Sequence, residues 1–332
     1  MTSTVPSNSP NASVLEGVPG PLIPGTGHEA RIGADAQAVT TRYWQYGEGM
    51  GSGSFPEGCY PVLLVHGFRG DHHGLEIIAN YLLKLIPNVS IISPDLPGFG
   101  RSGDLPESAP GEDSIDAYVA WLQDFVERTN PLGLPLHVVG HSFGSILTSA
   151  FAAAHPASLA RLSLINPISE PALEGRQRVT SRLASLYYRA GAALPEKIGY
   201  PLLRSQLITR LSSEVMMRTK DRAMRRFING QHAAYFGSFG SRRGVLSAYE
   251  ASITHTAAEY AAAIRVPVQM LVAEDDDLGT PETARAMYAT LTSRDLPAPR
   301  ERLDMIPEVG HLIHYETPHL AAELIADFAA ER

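Results

Sequence analysis

Apolar residues fall along this chain in two alternating patterns. Short unbroken runs at Pro61-Val62-Leu63-Leu64-Val65, Val89-Ser90-Ile91-Ile92-Ser93, Leu136-His137-Val138-Val139, Leu162-Ser163-Leu164-Ile165 and Val268-Gln269-Met270-Leu271-Val272 stop at turn residues, as strands buried on both faces do. Between them, helical spacing occupies 75–86, 114–128, 144–154, 281–291 and 318–328. Strands alternating with helices long enough for right-handed crossovers predict an α/β chain, a doubly wound and mostly parallel sheet covered on both faces. Ahead of these, Val39 to Tyr46 is β-branched and aromatic and runs into a Gly/Ser-rich turn at 47–53. That pattern predicts an antiparallel edge strand.

From 168 to 264 the strand signals vanish, and Arg-rich amphipathic segments such as 176–193 and 211–228 take over. This stretch reads as a helical cap inserted between two strands, leaving 38–167 and 265–332 as the core. Residues 1–37 read as a leader, rich in Ser, Pro, Asn and Gly and disordered from Met1 to about Gly27. The leader has neither the basic start nor the apolar run of a signal peptide, so the expected location is cytoplasmic. At 332 residues, 44% hydrophobic and 19% charged, the chain can bury one large core and carry a smaller module.

Charge narrows the partners. A formal charge of −8 without a long Lys/Arg run excludes the electrostatic footprint of a nucleic-acid or anionic-membrane binder, and no stretch nears the roughly 18 apolar residues of a membrane helix. Within the cap, Arg and Lys clearly outnumber the acids, which reads as solvated helix faces or as attraction for an anionic substrate. Cys59 is the single cysteine, so disulfides and thiol catalysis are excluded.

The chemistry gathers at strand ends. Gly140-His141-Ser142-Phe143-Gly144 fits G-x-S-x-G between a strand and a helix, where a tight turn exposes the serine hydroxyl and the next amide faces developing negative charge. Ser142 is the candidate nucleophile. Val65-His66-Gly67-Phe68-Arg69-Gly70 ends an earlier strand and offers a second oxyanion donor, so the expected pair is the N–H groups of Phe68 and Phe143. Of twelve histidines, His311 follows the strand-like run 302–306 and precedes the last helix, the position a general base takes in the order Ser, Asp, His. His314 and His319 fall in or beside that helix, where a solvated face is expected. The acid comes from Glu274-Asp275-Asp276-Asp277 at a strand's end; the remaining carboxylates should be solvated or cap the helix after Thr280-Pro281.

Two other patterns fail on context. Gly98-Phe99-Gly100-Arg101-Ser102-Gly103 fits G-x-G-x-x-G, but Pro106 and Pro110 follow and the helix starts near Ser114, whereas a dinucleotide fingerprint must open a helix directly. His66, His72 and His73 lack H-E-x-x-H or similar metal-binding spacing. No cofactor and no metal are expected.

Together these motifs resemble the α/β-hydrolase superfamily from about Thr40 to the C-terminus. His66-Gly67-Phe68 resembles its oxyanion loop, Asp95-Leu96-Pro97-Gly98-Phe99-Gly100-Arg101-Ser102 its strand-four loop, and Gly140 to Gly144 its nucleophile elbow. Gly310-His311 with Glu316-Thr317-Pro318 resembles its histidine loop and final helix. The family's acid segment laid on Pro267 makes Asp276 the acid, with Ala273 where a glycine is usual; counting back four from Pro281 makes it Asp277. The first register is favoured. The resemblance implies a cap between strands six and seven and cleavage of a small-molecule carboxylic ester or thioester through an acyl-enzyme. It also leaves a C–C bond hydrolase of the meta-cleavage-product type, a cofactor-free perhydrolase or lyase, and a triad-retaining receptor. Ser142 excludes the Asp nucleophile of similar dehalogenases and epoxide hydrolases. Acyl and alcohol groups and oligomeric state are left open.

Overall fold

The computed structural model describes residues 22–34, 37–106, 114–172, 178–296 and 300–331. Eight strands form one sheet: β1 (Thr26–Ile32), β2 (Val39–Gly47), β3 (Tyr60–Val65), β4 (Val89–Pro94), β5 (Leu136–His141), β6 (Leu159–Ile165), β7 (Val268–Ala273) and β8 (Arg302–Ile306). Their order is β1-β2-β4-β3-β5-β6-β7-β8. β3 to β8 pair in parallel, while β1 and β2 are antiparallel. Every residue of β4, β5 and β7 is buried, which is why these strands read as unbroken apolar runs.

Helices cover both faces. Helix α1 (His73–Leu85) packs with α10 (Ile313–Glu316) and α11 (Pro318–Ala330) on one side. Helices α2 (Ser114–Thr129), α3 (Phe143–Ala154) and α9 (Pro281–Thr292) join the core on the other. From β3 the chain crosses to β4 on one side and then to β5 on the other. This topological switch opens a crevice at the C-terminal ends of β3 and β5, where an open α/β sheet takes its ligand.

The leader needs correction. Residues 26–32, expected within it, form β1, paired with β2 from Thr26↔Gln45 to Ile32↔Val39. Only Ala30 and Ile32 of β1 are buried, so the strand carries too few apolar residues to register as a run. β2 is consequently not the edge, since it lies between β1 and β4. The earlier leader, Met1 to Pro21, is outside the described residues, as is Pro110.

Between β6 and β7 the cap contains α4 (Arg178–Ala193), α5 (Glu196–Leu203), α6 (Gln206–Met216), α7 (Arg222–Tyr235) and α8 (Arg242–Thr254). The single amphipathic segment expected at 211–228 is two helices. Asp221 caps α7 by accepting from Ala223 N and Met224 N, and the amides of Arg218 and Thr219 donate to Glu316 instead of continuing α6. Helix α6 is also inverted: Leu207, Leu211 and Val215 face solvent while Thr209 and Ser213 are buried. The Gly98–Gly103 loop opens no helix. It clasps the cap, with Gly100 N donating to Ser238 O and Gly240 N to Gly98 O.

One polar chain crosses the sheet. The Ser163 hydroxyl donates to Gln269 Oε1, so it accepts from His137 Nε2–H at 2.8 Å, and His137 Nδ1 accepts from Tyr60 Oη at 3.1 Å. Burial pushes His137 down to about 3; it likewise pushes His141 to about 3 and His232 to about 4. Below pH 6.5 the unfolded chain protonates these imidazoles while the folded chain does not, so their contribution is full above that pH and lost on acidification toward pH 3 to 4. Each contributes a slope of about 1.4 kcal/mol per pH unit. Urea midpoints should therefore fall between pH 7 and pH 5, less steeply in His137→Gln. Identical slopes for the two proteins would show that His137 is not buried in its neutral form.

Candidate active site

Ser142 stands in the turn between β5 and α3 with φ 52° and ψ −119°, left-handed backbone that a non-glycine residue adopts only where its surroundings enforce it. Those surroundings are visible. A side chain at Gly144 would strike the backbone oxygens of Val65 and His66, so only glycine lets α3 approach β3 this closely. Ser142 N–H donates to Ile165 O, and the Ser145 hydroxyl donates to Ser142 O while accepting from Ile168 N–H.

Three side chains from three strand ends meet in line. Ser142 Oγ lies 2.8 Å from His311 Nε2, and His311 Nδ1 lies 2.8 Å from Asp276 Oδ2. Asp276 Oδ1 accepts from Leu278 N–H at 2.8 Å, and Asp276 and His311 are each 4% exposed. Of the four neighbouring acids, Asp276 is the one brought to His311. Glu274 and Asp275 are exposed, and Asp277 pairs with Arg218 of the cap. The helix after them is capped by Thr280, not by a carboxylate.

The expected oxyanion loop adjoins the serine. A Cβ placed on Gly67 would lie 3.1 Å from Ser142 Cβ, and the Phe68 and Phe143 rings meet edge to face at 6.5 Å between centroids. The N–H of Phe143 heads α3, and neither it nor that of Phe68 is donated among the described residues. His66 braces the loop, donating Nδ1–H to Gly67 O and accepting at Nε2 from Leu96 N–H. Burial holds that ring below its ordinary pKa, as both bonds require.

A cavity of about 130 Å³ adjoins Ser142, lined from the core by His141, His311, His314 and Asp71 and from the cap by Met216, Gln231, His232, Tyr235 and Phe236. His314, expected on a solvated face, is 5% exposed, because α10 is a single turn wedged against α1 and the cavity; burial pushes it well below its ordinary value. Asp71, His72 and His73 bring three ligand atoms within 4.8 Å of one another. His72 Nδ1 bonds Asp95 Oδ1 at 2.8 Å and His73 Nδ1 bonds Asp71 Oδ1 at 3.0 Å, so a cation there would compete with formed hydrogen bonds.

Several residues that shape the site escape sequence reading. Asn166 directly follows β6 with φ 44°; its Nδ2 donates to Gly310 O and its Oδ1 accepts from Ala273 N, tying the histidine loop to the strand that precedes Asp276. An asparagine just after a strand is a signal for left-handed backbone, but its partners lie over 100 residues away. Arg69 is 3% exposed; it donates to Phe236 O at 3.0 Å, Leu203 O at 2.7 Å and Tyr188 Oη at 3.3 Å. It thus fastens three cap segments to the loop carrying Phe68.

A family model described as "Alpha/beta hydrolase family" matches residues 62–324. Lipase LipV of Mycobacterium tuberculosis is 39% identical over 136 residues, 40% of this chain and 47% of that protein. Monoacylglycerol lipase ABHD6 of Homo sapiens is 24% identical over 276 residues, 81% of this chain and 75% of that protein. The matched stretch spans about half or less of the length of three of these curated relatives, LipV among them. Among solved structures, the enol-lactonase from Burkholderia xenovorans LB400 superposes with a TM-score of 0.68 at 17% identity, covering 92% of this chain and all of that one; this likeness speaks for the fold. Among the described residues no helix is long and apolar enough to cross a membrane. With the eight-stranded sheet and most of its length matched, the chain belongs to the alpha/beta hydrolase family.

Proposed function

We propose that the protein is a serine hydrolase that cleaves a small, uncharged carboxylic ester or thioester through an acyl-enzyme. The observation that carries this reading is the hydrogen-bonded line from Ser142 Oγ through His311 to Asp276. Asp276 accepts from His311 Nδ1–H, which leaves a lone pair on Nε2 directed at the serine hydroxyl. His311 takes the Ser142 proton as Oγ bonds to the acyl carbon, and the undonated amides of Phe68 and Phe143 receive the oxyanion. His311 then returns the proton to the leaving alcohol or thiol, and water cleaves the acyl-enzyme by the same steps.

Hydrolysis of a C–C bond in a diketo acid is less well supported. The cavity lining contains neither Arg nor Lys, and it includes Asp71, held below its ordinary pKa by its bond and charge contact with His73 against the opposing effect of burial. A substrate carboxylate would meet no cation there. The nearby Arg69 donates to two backbone carbonyls and a tyrosine hydroxyl instead.

Incubation with a fluorophosphonate should add one adduct to the intact mass, mapped by peptide sequencing to Ser142. A folded protein left unmodified by a probe small enough for the cavity would refute an activated serine and favour the receptor reading.

A further inference from the structure

Two cap side chains face the Ser142 cavity with unused hydrogen-bonding capacity. Gln231 and His232, consecutive on α7, are 7% and 4% exposed, and both line the cavity. The Gln231 amide makes no hydrogen bond among the described residues, and neither does His232 Nε2.

The protonation of His232 follows from its other neighbours. Its Nδ1 lies 2.5 Å from Ser213 Oγ, and the same Oγ lies 2.9 Å from the Thr209 carbonyl oxygen. A carbonyl only accepts and a hydroxyl has one proton, so Ser213 donates to Thr209 and accepts from His232 Nδ1–H. Nε2 then carries a lone pair. Burial, reinforced by the Arg69 guanidinium, pushes this imidazole down to about 4, so it stays neutral near pH 7. The burial of one polar residue of α6 gains a reason here: Ser213, its hydroxyl donated to the Thr209 backbone carbonyl, sets the tautomer of an imidazole that lines the Ser142 cavity.

We propose that Gln231 and His232 form a specificity subsite for substrates that carry a hydroxyl or amide N–H close to the scissile carbonyl. The inference rests on the hydrolase reading above and adds the substrate class. His232 Nε2 accepts the substrate's donor, while Gln231 offers both an acceptor and a donor. The cavity is compact, about 130 Å³, so the recognised group lies within a few bonds of the ester. A purely hydrocarbon substituent would displace water from both side chains without replacing its bonds, and a site built to pair with a hydroxyl discriminates strongly against an analogue lacking it.

The test compares kcat/KM within two substrate pairs: 4-nitrophenyl butanoate against its 3-hydroxybutanoate, and ethyl butanoate against 2-hydroxyethyl butanoate. The wild type should prefer the hydroxylated member of at least one pair by about tenfold or more. His232→Leu should bring that ratio toward one, and Ser213→Ala, which frees the imidazole tautomer, should lower it in part. An active wild type with no preference in either pair overturns the inference, as does a preference undiminished in a folded His232→Leu. A wild type that is neither active nor labelled by a fluorophosphonate instead overturns the hydrolase reading itself, and the subsite with it.

Discussion

Ser142→Ala should hydrolyse esters about 10⁴- to 10⁶-fold more slowly than the wild type, with KM little changed and the fold intact. On the proposed mechanism the loss concentrates in kcat, because Oγ would form the covalent bond and contribute little to ground-state binding. Residual catalysis should survive, since the Phe68 and Phe143 amides can still polarise the carbonyl and His311 can still activate water. Stability separates a chemical role from a structural one. The strain at φ 52° belongs to the backbone and Cβ, so alanine keeps it, whereas Ser142→Gly should release roughly 1 kcal/mol of it. The expected pattern in steady-state kinetics and thermal melts is two equally inactive variants, with the glycine one more stable. An alanine variant within tenfold of wild-type kcat would remove Ser142 from the mechanism.

How far the sequence reaches depends on whether a residue's role is local. The parallel strands were legible because burial on both faces leaves a run of apolar residues that needs no partner to be recognised. The elbow was legible because G-x-S-x-G between strand and helix is a local steric solution, here Gly144 against β3. β1 was not, because an antiparallel edge strand exposes one face, and Thr26–Ile32 buries only two residues. The break between α6 and α7 depends on Glu316, about 100 residues away, taking the amides of Arg218 and Thr219. Likewise His314 is buried only because α10 docks beside the cavity, and Gln231 and His232 reach the Ser142 cavity only because α7 lines it. Pattern therefore pointed to the candidate site, while the groups that would select its substrate came from packing between distant segments.

Asp276→Asn should lower kcat by about 10⁴-fold, and Asp277→Asn should leave it within about twofold. The reason lies in the two bonds that Asp276 accepts, from His311 Nδ1–H and from Leu278 N–H. An asparagine side chain has a single acceptor atom. If its oxygen keeps Leu278, its NH₂ faces His311 and forces Nδ1 to accept, which moves the imidazole proton to Nε2 and leaves no lone pair for Ser142. If its oxygen keeps His311, its NH₂ abuts the Leu278 N–H, leaving two donors opposed in a site that is 4% exposed. Either arrangement damages the base. Asp277 has no such duty: it is half-exposed and pairs with Arg218, and exposed ion pairs contribute at most about 1 kcal/mol. Activity assays beside thermal melts of both variants decide the assignment, and a larger loss in Asp277→Asn than in Asp276→Asn would transfer the role of acid to its neighbour.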